Sequence, residues 1–238
     1  MIMVGLDDTD MLDTPGTNKL ARHLVEMLRD SFTCRMIVRH QLLEDPRVPC
    51  TRKNGCASIQ LEPRSAAALD AVQLADRVRP ILLGWCPIGS DPGLCIATDV
   101  AAAAVIEWGK RCQRELVTQL EARDLAVAKR IHLEGLGGTQ DGVIGALAAV
   151  GLAATANDGR VVYLGGRDED LLDVTGCISI DDIRARGIDE IREAQSNQPV
   201  TTGFVSLKKR LRPNYRTGQI VLYVARVGHD AYDEVRVT

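Results

Sequence analysis

The segment MVGLDDTD, residues 3–10, runs from apolar residues straight into Asp7, Asp8 and Asp10. Carboxylates packed this densely repel one another unless a cation or a network of donors neutralises them. Oxygen ligands suit a hard metal, and magnesium binds through one or two carboxylates while bridging to substrate phosphates. Asp7, Asp8 and Asp10 are therefore candidate metal ligands and candidate catalytic groups, although a solvated acidic turn with an Asp cap explains the same residues taken alone. Three other segments are unusually polar or glycine-rich for plain connections: DPRVPCTRKNG (45–55), GSDPG (89–93) and EGLGGTQDG (134–142). In the last, Gly135, Gly137, Gly138 and Thr139 precede a predicted helix, where backbone amides would cradle a phosphate. In the first, Arg52 and Lys53 would neutralise remaining charge, flanked by Thr51 and Asn54. Should these loops converge, the result is a nucleotide site. It is neither a Walker A loop, since no GxxxxGK[ST] occurs, nor a GxGxxG fingerprint, since Gln140 stands where the last glycine belongs.

The elements that must position these loops are readable from periodicity. MIMVGL has the continuous apolar character of a strand buried on both faces, which would set the aspartates at the strand's C-terminal end, where ligands collect in open α/β sheets. Leu20, Leu24, Met27 and Leu28 recur at helical spacing behind a Pro-Gly turn. TCRMIVRHQL and CASIQLE read as strands around a long loop, a helix is expected from near Ser65 to before Gly84, and WCPIGSDPGLCIA is a turn feeding a strand. Asp99 to about Arg123 reads as one helix, and GVIGALAAVGLAA as an apolar helix with small residues at Gly145, Ala149 and Ala153. Beyond the Asn-Asp-Gly turn, IDDIRARGIDEIREAQ is predicted helical, QPVTTGFVSL extended, and GQIVLYVARV the final strand. The expected organisation is a mixed α/β chain with domains at 1–158 and 159–238.

Composition narrows the function classes. At 238 residues the chain can bury a real core, and 45% hydrophobic with 26% charged residues describes a soluble globular protein. A net charge of −3 argues against an overall basic nucleic-acid binder, and 3% aromatic residues leave little for a base-stacking sheet. No signal-peptide layout and no membrane-length apolar run occur, so no membrane partner and a cytoplasmic location are expected. Seven cysteines without CxxC spacing read as reduced, with Cys50 and Cys56 flanking the polar loop. His40 and His23 read as structural. In SLKKRLRPNYR, the basic side chains and Tyr215 would contact RNA phosphate and stack a base, against the plainer reading of a charged hairpin.

GLDDTD, RVPCTRKNGCASI, SDPG and GVIGALAAVGL occur in the order and at the spacing of a known family. The chain resembles the archaeal tRNA(Ile) agmatidine synthetases, whose corresponding segments are G-[IL]-DDTD, IP-x-x-TRGNGA, [TS]-[ND]-PG and G-x-[IV]-GALAAVG. The resemblance covers roughly the first 155 residues. It implies an ATP- and magnesium-using, kinase-like domain followed by a smaller ferredoxin-like domain, with room for neither the OB-fold nor the zinc ribbon of the family. By this resemblance Asp7, Asp8 and Asp10 fall on the metal-binding motif. Thr17 falls on a threonine that is phosphorylated in the family, here between Gly16 and Asn18, and Thr51, Arg52 and Asn54 fall on the polar loop, with Lys53 in place of a glycine. The expected activity is a transferase that activates an acceptor oxygen by phosphorylation, with amine displacement as a second step. The partners would be a nucleotide and an acceptor, either a small molecule or RNA. The alternative is a nucleotide- or RNA-binding module without turnover.

Overall fold

The computed structural model describes residues 1–51, 53–65, 70–165 and 170–237, and contacts divide the chain into two compact units, Met1–Thr155 and Ala156–Thr238. In the first unit the elements are β1 (Ile2–Asp7), α1 (Thr17–Leu28), β2 (Phe32–Gln41), β3 (Gly55–Pro63), α2 (Ala71–Trp85), β4 (Gly93–Thr98), α3 (Asp99–Ala103), α4 (Ile106–Cys112), α5 (Gln119–Lys129), β5 (His132–Gly135) and α6 (Gly142–Ala154). Its strands lie in the order β5-β4-β1-β3-β2. Every pairing among them is antiparallel. The reading of β1 as a doubly covered central strand holds, with Met3, Val4, Gly5 and Leu6 all buried. The parallel-sheet rule for its C-terminal edge does not apply.

Alternation along β1 sends Met3, Gly5 and Asp7 to one face and Val4 and Leu6 to the other. On the first face lies α6, whose residues from Val143 to Ala153 are buried apart from Ile144. It is apolar all round because α3, α4 and α5 cover it from outside. The small residues allow unusually close backbone contact: a Cβ on Gly5 would sit 2.0 Å from the Ala146 carbonyl oxygen, and one on Gly93 would sit 2.0 Å from that of Gly142. On the other face α1 and α2 pack through Leu20, Leu24, Leu74 and Leu82, all fully buried.

The helix expected over Asp99 to Arg123 is three. The first break falls at Val105, whose carbonyl lies against Gly151 of α6, and the second between Cys112 and Gln119, where Thr118 and Glu121 form a capping box that starts α5.

The second unit contains β6 (Arg160–Leu164), β7 (Gly176–Ser179), α7 (Ile180–Ala185), β8 (Glu190–Glu193), β9 (Phe204–Leu207), β10 (Asn214–Arg216), β11 (Gln219–Gly228) and β12 (Ala231–Glu234). The order is β6-β10-β11-β12-β9-β7, with β8 parallel to β11. Two expectations change here. IDDIRARGIDEIREAQ is helical only to Ala185, because Gly187 at φ +83° turns the chain into β8, and β11 is followed by a further strand. A ferredoxin-like unit alternates two helices with four strands; the described residues form one six-residue helix among these strands, so the element order departs from that expectation. No helix among the described residues is long and apolar enough to cross a membrane.

Candidate functional site

At the end of β1 the chain turns sharply, with Asp8 in the left-handed region at φ +49°, a conformation that Asp tolerates better than most residues. The turn sets Asp7, Asp8 and Asp10 on the wall of one cavity of about 540 Å³. The Asp7 carboxyl is surrounded by protein atoms, though the residue keeps some solvent contact through the cavity. It lies against α6 where a Cβ on Gly145 would fall 1.8 Å from its Oδ2. Glycine at 145 is therefore what lets this acid sit over the helix, a link between the first and last of the sequence motifs.

Burial, and then the charge of Asp8, push Asp7 up to about 7; its own acceptance of the Asp8 backbone N–H and the charge of Arg39 only partly offset this. Asp8 is pushed up to about 6, first by burial and then by Asp91, Asp10 and Asp141. Asp91 and Asp141 line the same cavity. Neither was singled out in the sequence, although SDPG and TQDG were. Among the described residues no three His, Cys, Asp or Glu side chains converge closely enough to form a ready-made metal-ligand set. The donor set is nonetheless all oxygen, and magnesium needs only one or two carboxylates beside waters and phosphate oxygens, so the cavity fits that ion.

The other loops arrive as follows. Thr17, the first residue of α1, lines the cavity, and its Oγ1 accepts a 3.0 Å hydrogen bond from the buried Thr9 hydroxyl. Thr51 lines it too, its hydroxyl donating to the Asp10 carbonyl at 3.3 Å. Lys53 also lines it, its ammonium 3.7 Å from Glu44 in an exposed ion pair that a phosphate can displace cheaply. Asn54 reaches the wall, but its side-chain amide donates to the Leu43 carbonyl at 2.8 Å and ties off the base of the 43–54 loop. Arg52 lies outside the described residues. Arg47, not anticipated, lines the cavity and holds Asp45 through two side-chain hydrogen bonds of 2.8 Å.

Of the glycine loop, Thr139 reaches the cavity, whereas Gly135, Gly137 and Gly138 are not among the residues that line it. The reason is Asp91, whose carboxylate accepts the Thr139 N–H at 2.7 Å and the Thr139 hydroxyl. Gly138, at φ +49°, makes room for it, since a Cβ there would land 1.4 Å from Asp91 Oδ1. From α5, Gln119 donates to the Thr139 carbonyl at 2.8 Å and to Asp141 at 3.0 Å, closing the loop from the other side. Much of the remaining lining is apolar: Leu42, Leu43, Val48, Pro49, Leu116 and Ile144. The α4–α5 connection that supplies Leu116 was invisible while the region read as one helix.

His40 and His23 are structural: His40 Nε2 is 2.9 Å from the Ser58 hydroxyl in the core, and His23 stacks on Trp85. All seven cysteines are free of disulfides; Cys50 is exposed and lines the cavity, while Cys56 is buried. Tyr215 is buried in the second unit and presents no face to a base.

Compared with known proteins, the chain matches no family model and no curated protein. It does match solved structures. A tRNA fluorescent labeling enzyme superposes with a TM-score of 0.56 at 24% identity over 63% of this chain and 35% of that one. Apo TiaS, the tRNAIle2 agmatidine synthetase, gives 0.54 at 23% over 63% and 35%, and the TiaS-tRNA(Ile2)-ATP complex gives 0.55 at 24% over 63% and 36%. The fold is that of TiaS over the matched part. The chain spans about a third of the length of these TiaS structures, and the mixed α/β class expected from the sequence stands.

Proposed function

We propose that the first unit binds ATP together with magnesium in this cavity and transfers a phosphoryl group to an oxygen of an acceptor. The observation that carries the reading is the gathering of Asp7, Asp8, Asp10, Asp91 and Asp141 around one cavity, with Asp7 and Asp8 held well above the ordinary carboxylate range. Such crowding is costly in an empty protein and is relieved by a bound cation. One or two carboxylates from among Asp7, Asp8 and Asp10 would hold magnesium, which when bound supplies charge neutralisation for phosphate. Lys53, Thr51 and Arg52 belong to the loop that would meet phosphate oxygens, Thr139 holds Asp91 in place through its hydroxyl, and the apolar part of the lining would receive the base. Phosphoryl transfer demands positioning and electrostatics more than covalent help, which is what such a cavity offers.

The TiaS complexes, by their descriptions, hold tRNA(Ile2) with ATP, and tRNA(Ile2) with AMPCPP and agmatine. Carried to this chain as a proposal, the acceptor is an RNA base oxygen, and an amine then forms a C–N bond as the C–O bond breaks and phosphate departs. Thermal unfolding with ATP, with and without magnesium, tests the first step. Magnesium-ATP should raise Tm by mass action, and Asp8→Asn should remove that rise. No shift with any nucleotide would overturn the reading, and binding without release of ADP, AMP or phosphate across RNA and small-molecule acceptors would leave a binding module.

A further inference from the structure

The second unit carries a concentration of positive charge that the cavity of the first does not explain. Three stretches of backbone create it. Val161 N donates to the Pro213 carbonyl at 2.8 Å, and Arg160 is the register partner of Asn214. The Asn214 side-chain amide donates to the Val237 carbonyl at 3.0 Å, drawing the end of the chain alongside. Glu234, at the end of β12, accepts the Arg212 backbone N–H at 2.7 Å. The start of β6, the segment before β10 and the end of β12 are thus laced together, and each brings an arginine: Arg160, Arg212 and Arg236.

All three guanidinium groups act electrostatically on one carboxylate, that of the half-buried Glu234. Arg210 adds to the field at Arg212 but is itself engaged by Asp170. Among the described residues neither Arg212 nor Arg236 makes a salt bridge, and Lys208 and Lys209 stand exposed on the same segment. Partial burial and the neighbouring Arg236 weigh against the charge on Arg212. Glu234 answers part of this charge, one carboxylate among three guanidinium groups, and the like charges in excess cost stability unless a further anion answers them. Arginine's planar fork matches phosphate oxygens two at a time.

The geometry points to a phosphate-binding site on the second unit, built from Arg212 and Arg236 with Arg160 beside them and Lys208 and Lys209 extending it. Its ligand is a phosphate group, either a phosphodiester of an RNA chain or a free polyphosphate. The site lies wholly within residues 160–236 and does not rest on the nucleotide reading of the first unit.

The test uses the full chain without ATP or magnesium, so that failure here and failure of the nucleotide reading are distinguishable. The probes are a fluorescent single-stranded RNA of about 20 nucleotides and, in a second arm, inorganic tripolyphosphate. For RNA, the Arg212→Gln/Arg236→Gln double variant should weaken binding about tenfold. It should also flatten the dependence of log K on log salt by about 1.4, the release expected for two phosphate contacts on a single strand. Tripolyphosphate binding with no RNA binding, lost in the same variant, assigns the site to free phosphate and still supports it. If the double variant has a lowered Tm, Arg236→Gln alone, at an exposed side chain, should weaken binding by about threefold. Unchanged affinity in a folded variant, or no binding of either probe at 50 mM salt, overturns the proposal.

Discussion

In the first unit acids converge on a cavity whose depth deprives them of water; in the second, arginines surround a carboxylate on a surface that water still reaches. The acidic cluster is held by close backbone packing, Asp7 against Gly145 and Asp91 in the space left by Gly138. The basic cluster is held by strand register and two side-chain hydrogen bonds to backbone groups. The difference teaches how much stability each kind of crowding can cost. Desolvated charge moves ionisation by whole pH units, whereas exposed charge is screened within about 8–10 Å.

The largest expected effect comes from breaking the close approach. Gly145→Val should destabilise the first unit by about 3 kcal/mol or more, because its first side-chain atom falls on Asp7 and α6 must lift from β1. A wild-type unfolding temperature would show that the contact is not tight.

Next is the pH dependence of Asp7. Its folded value, about 7, lies above its unfolded value, so below pH 4 both states hold the proton and there is no penalty. As pH rises toward 7 the unfolded chain releases its proton first, and the folded state loses up to about 1.4 kcal/mol per pH unit. Ligand-free protein should therefore melt progressively lower from pH 4 to 7. Asp7→Asn should raise Tm by about 8 °C at pH 8 and by about 1 °C or less at pH 4. An equal change at both pH values would mean the carboxyl is not strained.

Smaller again, Asp91→Asn should cost about 1 kcal/mol by weakening the Thr139 latch. It should also move the titration of Asp8 downward, because one of the charges holding Asp8 up is gone. NMR titration of the Asp8 carboxyl reads this directly. The smallest effect sharpens the contrast: Arg236→Gln, on the solvated side, should shift Tm by about 1 °C at most in either direction, since relief of repulsion on Arg212 is offset by lost attraction to Glu234.

Much of the first unit was legible because its signals are local. The apolar run of β1, the periodicity of α1 and the small-residue helix α6 each announce themselves within about a dozen residues. What escaped depends on contacts distant in sequence. The breaks at Val105 and before Thr118 interrupt a stretch whose composition favours helix throughout, although the Thr118–Glu121 capping pair was a readable signal. Gly187 was the corresponding signal before β8. In the site, the acids adjacent to one another in sequence were found, while Asp91 and Asp141 were missed because folding alone brings them to Asp8. Gly138 shows the converse: a glycine that suggested a phosphate cradle makes room for the Asp91 carboxylate, while Gly135 lies against Gln140 and Gly137 against Ser90 and Pro92.

Cys50 gives the cavity a built-in chemical reporter. Its thiol is exposed on the 43–54 loop, while Cys56 and Cys95 are buried, Cys112 is pushed up to about 12 chiefly by burial, and Cys86 to about 11 for the same reason. In a Cys177→Ser background, a maleimide should modify position 50 first, and the rate of that alkylation becomes a direct readout of whether anything occupies the space beneath the loop.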